Sequence, residues 1–173
     1  MIVVRRIGPE EWQQWRTLRL AALAETPYAY RSTIEEWTGP GDTEEHWRTW
    51  LADVPLTLVA ELDGRPVGLA GAIGPFRGEL ELVAMWVAPG ARGQGVGDAL
   101  VDAVVGWGRS QGACRLVVEV LASNQVAIDL YRRQGFVDAG PLSSAARPAP
   151  TRAMVRSLGE PEMAPGCGGQ KPG

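Results

Sequence analysis

The 173-residue sequence predicts an α+β fold of three-layer type, with a single mixed β-sheet of about six to seven strands flanked by helices. Three observations carry this. Short stretches either alternate apolar and polar residues or run unbroken in aliphatics, as strands do. Other stretches repeat apolar residues at helical spacing. Read along the chain, the order is β-α-α-β-β-β-α-β-α-β-β, so hairpin-linked strands come first and helix-separated strands afterwards, which is the pattern of one sheet that begins antiparallel and becomes locally parallel.

Ile2 to Ile7 reads as the first strand. Gly8-Pro9-Glu10-Glu11 opens a helix, with proline and acids suited to its first turn. Trp12, Trp15, Leu18, Ala22 and Leu23 form its apolar stripe, and Pro27 ends it. Residues 28–41 have no clean period and read as a loop with a short helix. Asp42-Thr43-Glu44-Glu45 fits a capped helix start, followed by Trp47, Trp50 and Leu51. Leu56 to Leu62 is an aliphatic strand, Asp63-Gly64 a hairpin turn, and Val67 to Ile73 the return. Gly74 to Gly78 turns again into the strand Glu79 to Val87, stopped by Pro89. A helix from about Gly95 to Gln111 follows, with Leu100, Val104 and Trp107 on one face. Cys114 to Leu121 is nearly continuous in apolar residues, as a central strand should be. Ser123 caps a helix to Gln134, Gly135 ends it, and strands begin at Phe136 and Thr151. Residues 1–158 are therefore expected to form one domain. Residues 159–173, rich in glycine and proline without periodicity, are expected to be a disordered tail.

Composition narrows the function. Hydrophobic residues at 45% and charged residues at 21% describe an ordinary globular chain with a real core. A net charge of −3 and scattered arginines argue against binding nucleic acid through phosphate contacts. No stretch approaches the ~20 apolar residues of a membrane span, and the N-terminus does not read as a signal peptide, so the expectation is a soluble cytoplasmic protein without a membrane partner. Cys114 and Cys167 make neither a disulfide framework nor a metal site by count or spacing. Cys114 reads as a buried thiol. No ligand cluster points to a metal.

The most informative stretch is Arg92-Gly93-Gln94-Gly95-Val96-Gly97-Asp98, placed between a strand and a helix. A helix start leaves about four backbone N–H groups unpaired at the positive end of the dipole, and glycines let an anion approach them. A P-loop needs Gly-Lys-Ser/Thr, which is absent. The dinucleotide fingerprint needs Gly-x-Gly-x-x-Gly, whereas the spacing here is Gly-x-Gly-x-Gly. The pattern Arg/Gln-x-x-Gly-x-Gly/Ala is satisfied at every position. A purely structural glycine-rich turn is the alternative.

The neighbouring residues extend that pattern. Met85-Trp86-Val87-x-Pro89 precedes the turn, and Asn124-x-x-Ala127-x-x-x-Tyr131-x-x-x-Gly135-Phe136 follows it. From about Leu80 to Phe136 the chain resembles the acetyl-coenzyme A signature of the GNAT superfamily of N-acetyltransferases, and more loosely back to Ile2. The resemblance implies a GNAT-like acyl-CoA acyltransferase fold. It also implies acetyl-CoA as co-substrate, no metal, and direct acetyl transfer to a primary amine, most readily that of a small molecule. The alternatives are a non-catalytic acyl-CoA sensor of the same fold, or an acetyltransferase acting on protein amines. Members of the superfamily are often dimers, so a homodimer is an open expectation.

The same resemblance distributes roles. Backbone N–H groups from Gln94 through Gly95, Val96 and Gly97 to Asp98 would cradle the pyrophosphate, beside Gly93 and with Arg92 adding charge. Met85, Trp86 and Val87 would diverge from the following strand and offer backbone groups to the pantetheine arm. Asn124 would bond that arm, its other reading being a helix cap. Tyr131 would protonate the leaving thiolate, its other reading being a packed core tyrosine. Glu81, eleven residues before Arg92, matches the place of a general base, with ordered water the alternative. Tyr28, Tyr30 and Trp37 would border the acceptor pocket, together with Trp86. His46, the one histidine, is expected to be structural.

Overall fold

A computed structural model of the protein describes residues 1–27, 33–142 and 149–159. Its strands form one seven-stranded sheet. Strands β1 (Ile2–Arg6), β2 (Leu56–Leu62), β3 (Arg65–Phe76) and β4 (Glu79–Val87) pair antiparallel in succession. β5 (Arg115–Leu121) lies parallel to β4. Beyond it come β7 (Thr151–Ser157) and then β6 (Val137–Leu142) at the edge, both antiparallel to their neighbours. Helices α1 (Trp12–Glu25), α2 (Glu44–Asp53), α3 (Val96–Ser110) and α4 (Gln125–Arg133) occupy the two faces. The expected class, strand count and element order are those observed. The expected tail lies outside the described residues, apart from Gly159.

The two faces differ in what covers them. Under α3 and α4, Leu100, Val101, Val104 and Ile128 meet Leu56, Leu58, Leu80, Leu82, Leu116 and Val118, an almost wholly aliphatic layer. Under α1 and α2, Trp15, Leu23, Trp47 and Leu51 pack with Val59, Leu69 and Trp86. Central strands are apolar on both sides because both sides are covered.

Several boundaries differ from the sequence reading, each for a local reason. Pro9–Glu11 is a separate 3-10 turn, and the α-helix starts at Trp12. The N-cap of α2 is Thr43, whose hydroxyl accepts the His46 N–H at 3.2 Å. Asp42 is not the cap because its carboxylate is taken by the Arg16 guanidinium and the Trp47 indole. The N-cap of α4 is Asn124 rather than Ser123, since Asn124 Oδ1 accepts the Ala127 N–H at 3.2 Å. β3 runs on to Phe76, so the following turn is shorter than expected. Cys114 precedes β5 and is half-buried rather than buried.

Candidate active site

The site begins with a defect in β4. β4 and β5 pair from Glu79 and Arg115 up to Leu82 and Val118, and no further, although both strands continue. At the same point the β3–β4 register shifts between Leu69 and Gly71, and Ala84 takes a left-handed backbone, φ 55°. This is a β-bulge, which bends the strand and ends pairing on one side. It also exchanges faces. Before it, Leu80 and Leu82 face the aliphatic layer while Val83 faces the aromatic one; after it, Met85 and Val87 face the aliphatic layer, and Ala84 and Trp86 the aromatic. The end of β4 therefore diverges from β5, as the sequence reading required.

A cleft of about 900 Å³ opens at this fork. Met85, Trp86 and Val87 line one side, and Val120, Leu121, Ser123, Asn124 and Tyr131 the other. Gly93, Gly95, Gly97 and Asp98 close one end. Gly95 caps α3 with φ 86°, a backbone that L side chains rarely adopt. At Gly97 a β-carbon would lie 3.0 Å from Leu130 Cδ2 and 3.6 Å from Met85 Cε, so glycine is what keeps α3 close to α4 and the cleft floor open. This glycine-lined start of a helix, beside an unpaired strand edge, fits a long ligand with an anionic segment and amide groups.

The expected site residues fall into three groups. Met85, Trp86, Val87, Arg92, Gly93, Gly95, Gly97, Asp98, Asn124 and Tyr131 all border the cleft. Tyr131 is 4% exposed, and its ring lies 5.3 Å from that of Phe136, so it is packed and cleft-facing at once. Asn124 likewise combines its cap with a place on the wall. Gln94 and Val96 do not line the cleft. The Gln94 side chain turns back to the Gly90 carbonyl at 3.0 Å, and Val96 is buried in the aliphatic layer, which leaves their backbones as the groups available. Glu81 is half-buried on the α1 side of β4, aligned with Val117 of β5, and is not among the lining residues. Trp37 is a correction: it is 4% exposed, stacked on His46 at 4.1 Å and against Trp47 at 4.4 Å, a core residue away from the cleft. Tyr28 and Tyr30 lie outside the described residues. His46 is structural, its Nδ1–H donating to the Gly41 carbonyl at 2.8 Å.

Arg92 borders the cleft with its guanidinium already engaged. Its Nε donates to the Val87 carbonyl at 3.0 Å and its Nη2 to Glu25 Oε1 at 2.5 Å. Glu25 Oε2 accepts the Trp86 indole N–H at 2.8 Å. Burial pushes the Glu25 carboxyl up, but the bonds from Trp86 and Arg92 outweigh it and hold the group below the ordinary carboxylate value. Across the cleft, Arg133 forms a two-bond pair with Asp98, at 3.1 and 2.9 Å. That pair lowers the Asp98 carboxyl against the effect of its burial, with a further bond from Gln134. Glu25 and Arg133 escaped the sequence reading. Arg133 carries no signal, but Glu25 does: a carboxylate on the last residue of a helix opposes the dipole and asks for a reason. Among the described residues, no group of three or more His, Cys, Asp or Glu stands together to hold a metal ion.

Residues 13–136 match the model of a family described as the acetyltransferase (GNAT) family. The chain belongs to the GNAT family. It is 38% identical over 85 residues to the IAA acetyltransferase of Azospirillum brasilense, covering 49% of this chain and 56% of that protein. It is 33% identical over 103 residues to the streptothricin acetyltransferase of Streptomyces lavendulae, covering 59% and 54%. The chain thus spans about half the length of these two relatives. A GNAT superfamily phosphinothricin acetyltransferase from Sinorhizobium meliloti, solved in complex with acetyl-CoA, superposes with a TM-score of 0.77 at 21% identity, covering 99% of this chain and 96% of that one. At that identity the GNAT fold is what the two share.

Proposed function

We propose that the protein is an acetyl-CoA-dependent N-acetyltransferase that passes the acetyl group directly to a primary amine of a small molecule. The observation that carries this reading is the fork itself: β4 and β5 part at Leu82 and Val118, and the glycine-lined start of α3 closes one end of the cleft between them. The streptothricin acetyltransferase supports a small-molecule acceptor, whereas a peptidyl-lysine N-acetyltransferase of Escherichia coli, 32% identical over 128 residues, supports the second reading, a protein amine.

Acetyl-CoA would supply the activated thioester. The chain supplies the rest. Backbone N–H groups at residues 94–98 would bind the pyrophosphate at the positive end of the α3 dipole. The backbone edge at Met85 to Val87, with Asn124 opposite, would hold the pantetheine arm as an added strand. The N–H of Trp86 or Val87 would stabilise negative charge on the acyl oxygen. Tyr131, packed against Phe136 and facing the cleft, would hold a proton at its hydroxyl for the departing thiolate. Glu81, on the α1 side of β4, would take the amine's proton directly or through water.

Thermal-shift titration tests the donor. Coenzyme A and acetyl-CoA, but not NAD, should raise the melting point, by about 2.7 kcal/mol of added stability at 100 times Kd. No stabilisation at millimolar coenzyme A would end this reading. Tyr131→Phe tests the acid: kcat should fall about a hundredfold while Kd for coenzyme A stays unchanged. Equal turnover would remove Tyr131 from the mechanism.

A further inference from the structure

The cleft carries two guanidinium groups, Arg92 and Arg133, and each already faces a carboxylate. The Asp98–Arg133 pair is easily understood, because Asp98 sits in the first turn of α3, where negative charge suits the dipole. Glu25 has no such explanation. It ends α1, against the dipole, and reaches Arg92 across 67 positions of sequence. Its two oxygens are divided, one held by the Trp86 indole and the other by Arg92. The pair is accessible, with side-chain exposures of 31% for Glu25 and 41% for Arg92.

We propose that Glu25 is the anchor for the ammonium group of a cationic amine acceptor, covered by Arg92 until an anionic donor draws that guanidinium away. The inference rests on the donor reading above. Arg92 is the first residue of the glycine-rich turn, so an anion settling at that turn competes directly with Glu25 for it. A pyrophosphate carries more charge than one carboxylate and offers a bidentate partner. Once Arg92 turns to the anion, Glu25 remains fixed by Trp86, ionised and open, beside the end of β4. A primary amine arrives at neutral pH as an ammonium, and the position Arg92 vacates is shaped for a cation. Binding is therefore ordered, donor before acceptor, and the acceptor class is one with a positive charge close to the amine that reacts.

Calorimetric titration of coenzyme A into four proteins decides the first half: wild type, Glu25→Gln, Arg92→Gln and the double variant. Glutamine keeps an acceptor for Trp86 but removes the charge. Glu25→Gln should bind coenzyme A about fivefold more tightly, the size an exposed ion pair supports. Arg92→Gln should bind more weakly, and the double variant should gain nothing over Arg92→Gln alone. The second half is read by thermal shift with 1,4-diaminobutane and spermidine. Wild type should be stabilised by an amine only when saturated with coenzyme A, and Glu25→Gln should not be stabilised at all. Weaker or unchanged coenzyme A binding by Glu25→Gln overturns the proposal, as does a gain that persists without Arg92. So does amine binding that ignores coenzyme A or Glu25, or no amine binding by the loaded wild type. A wild type that fails to bind coenzyme A refutes the donor reading; one that binds it, with Glu25→Gln no tighter, refutes only the exchange.

Discussion

The two faces of the sheet are held by different means. Beneath α3 and α4 the layer is mostly leucines, valines and alanines, many contacts of similar size, with Tyr131 and Phe136 among them. Beneath α1 and α2 a few large rings do the filling, and some of them are fixed by hydrogen bonds. Trp47 donates to Asp42 at 2.9 Å, Asp42 is also bound by Arg16 of α1, and Trp86 donates to Glu25. The aliphatic side carries the glycine-rich helix start and two walls of the cleft, so the proposed donor site stands on the part of the molecule with the simplest packing. The aromatic side carries Glu25 and Trp86, where polar partners fix geometry. The lesson is a division of labour. Backbone cradles need only close packing behind them, whereas a site that reads an acceptor needs rings and charges aimed from several elements.

The largest test of that division is Trp47→Ala. Deleting a fully buried ring should cost about 3–5 kcal/mol in denaturant titration. Coenzyme A affinity of the folded protein should stay within about twofold, because Trp47 does not border the cleft. Affinity falling in step with stability would erase the distinction between the faces.

Gly97→Val should do the reverse. The new side chain would press on Leu130 and Met85, costing about 1–3 kcal/mol by overpacking. It should weaken coenzyme A by about tenfold or more, equivalent to 1.4 kcal/mol, because it fills the cleft floor. A variant that loses stability but keeps full affinity would place the ligand elsewhere.

The smallest effect concerns acid. Asp42 is pushed down from 3.8 to about 2, first by the Arg16 bond and then by Trp47. A depressed carboxyl stabilises the fold above its ordinary value, and that contribution drains away as pH falls from 3.8 toward 2. Asp42→Asn should therefore lower stability at neutral pH and flatten this part of the acid limb. An unchanged limb would mean that the aromatic face owes nothing to the pair.

Much of this architecture was legible residue by residue. Hairpin turns, helix periods and the glycine spacing of residues 93–97 are local signals, and they placed every helix and strand and half of the residues that border the cleft. Caps slipped by one position at Asp42 and Ser123, because choosing between adjacent polar residues depends on which of them a distant partner occupies. Trp37 was misplaced for a related reason: an aromatic in an aperiodic stretch gives no clue whether it faces a pocket or, as here, stacks on His46.

What the sequence by itself determined, then, is whatever depends on neighbours within a few positions: the order of elements, the glycine-rich turn before α3, and the helix start able to receive an anion. What only the tertiary structure decided is what two remote segments settle between them. Nothing in Val83-Ala84-Met85 announces a bulge, yet β4 gains a residue over β3 there, takes a positive φ at an alanine, and exchanges the faces of its side chains. Likewise no local rule joins Glu25 to Arg92 and Trp86. Hydrogen bonds and ion pairs between distant positions form only when packing has already brought their backbones together, so the residues that tie the two sides of the cleft are visible in the fold and silent in the sequence.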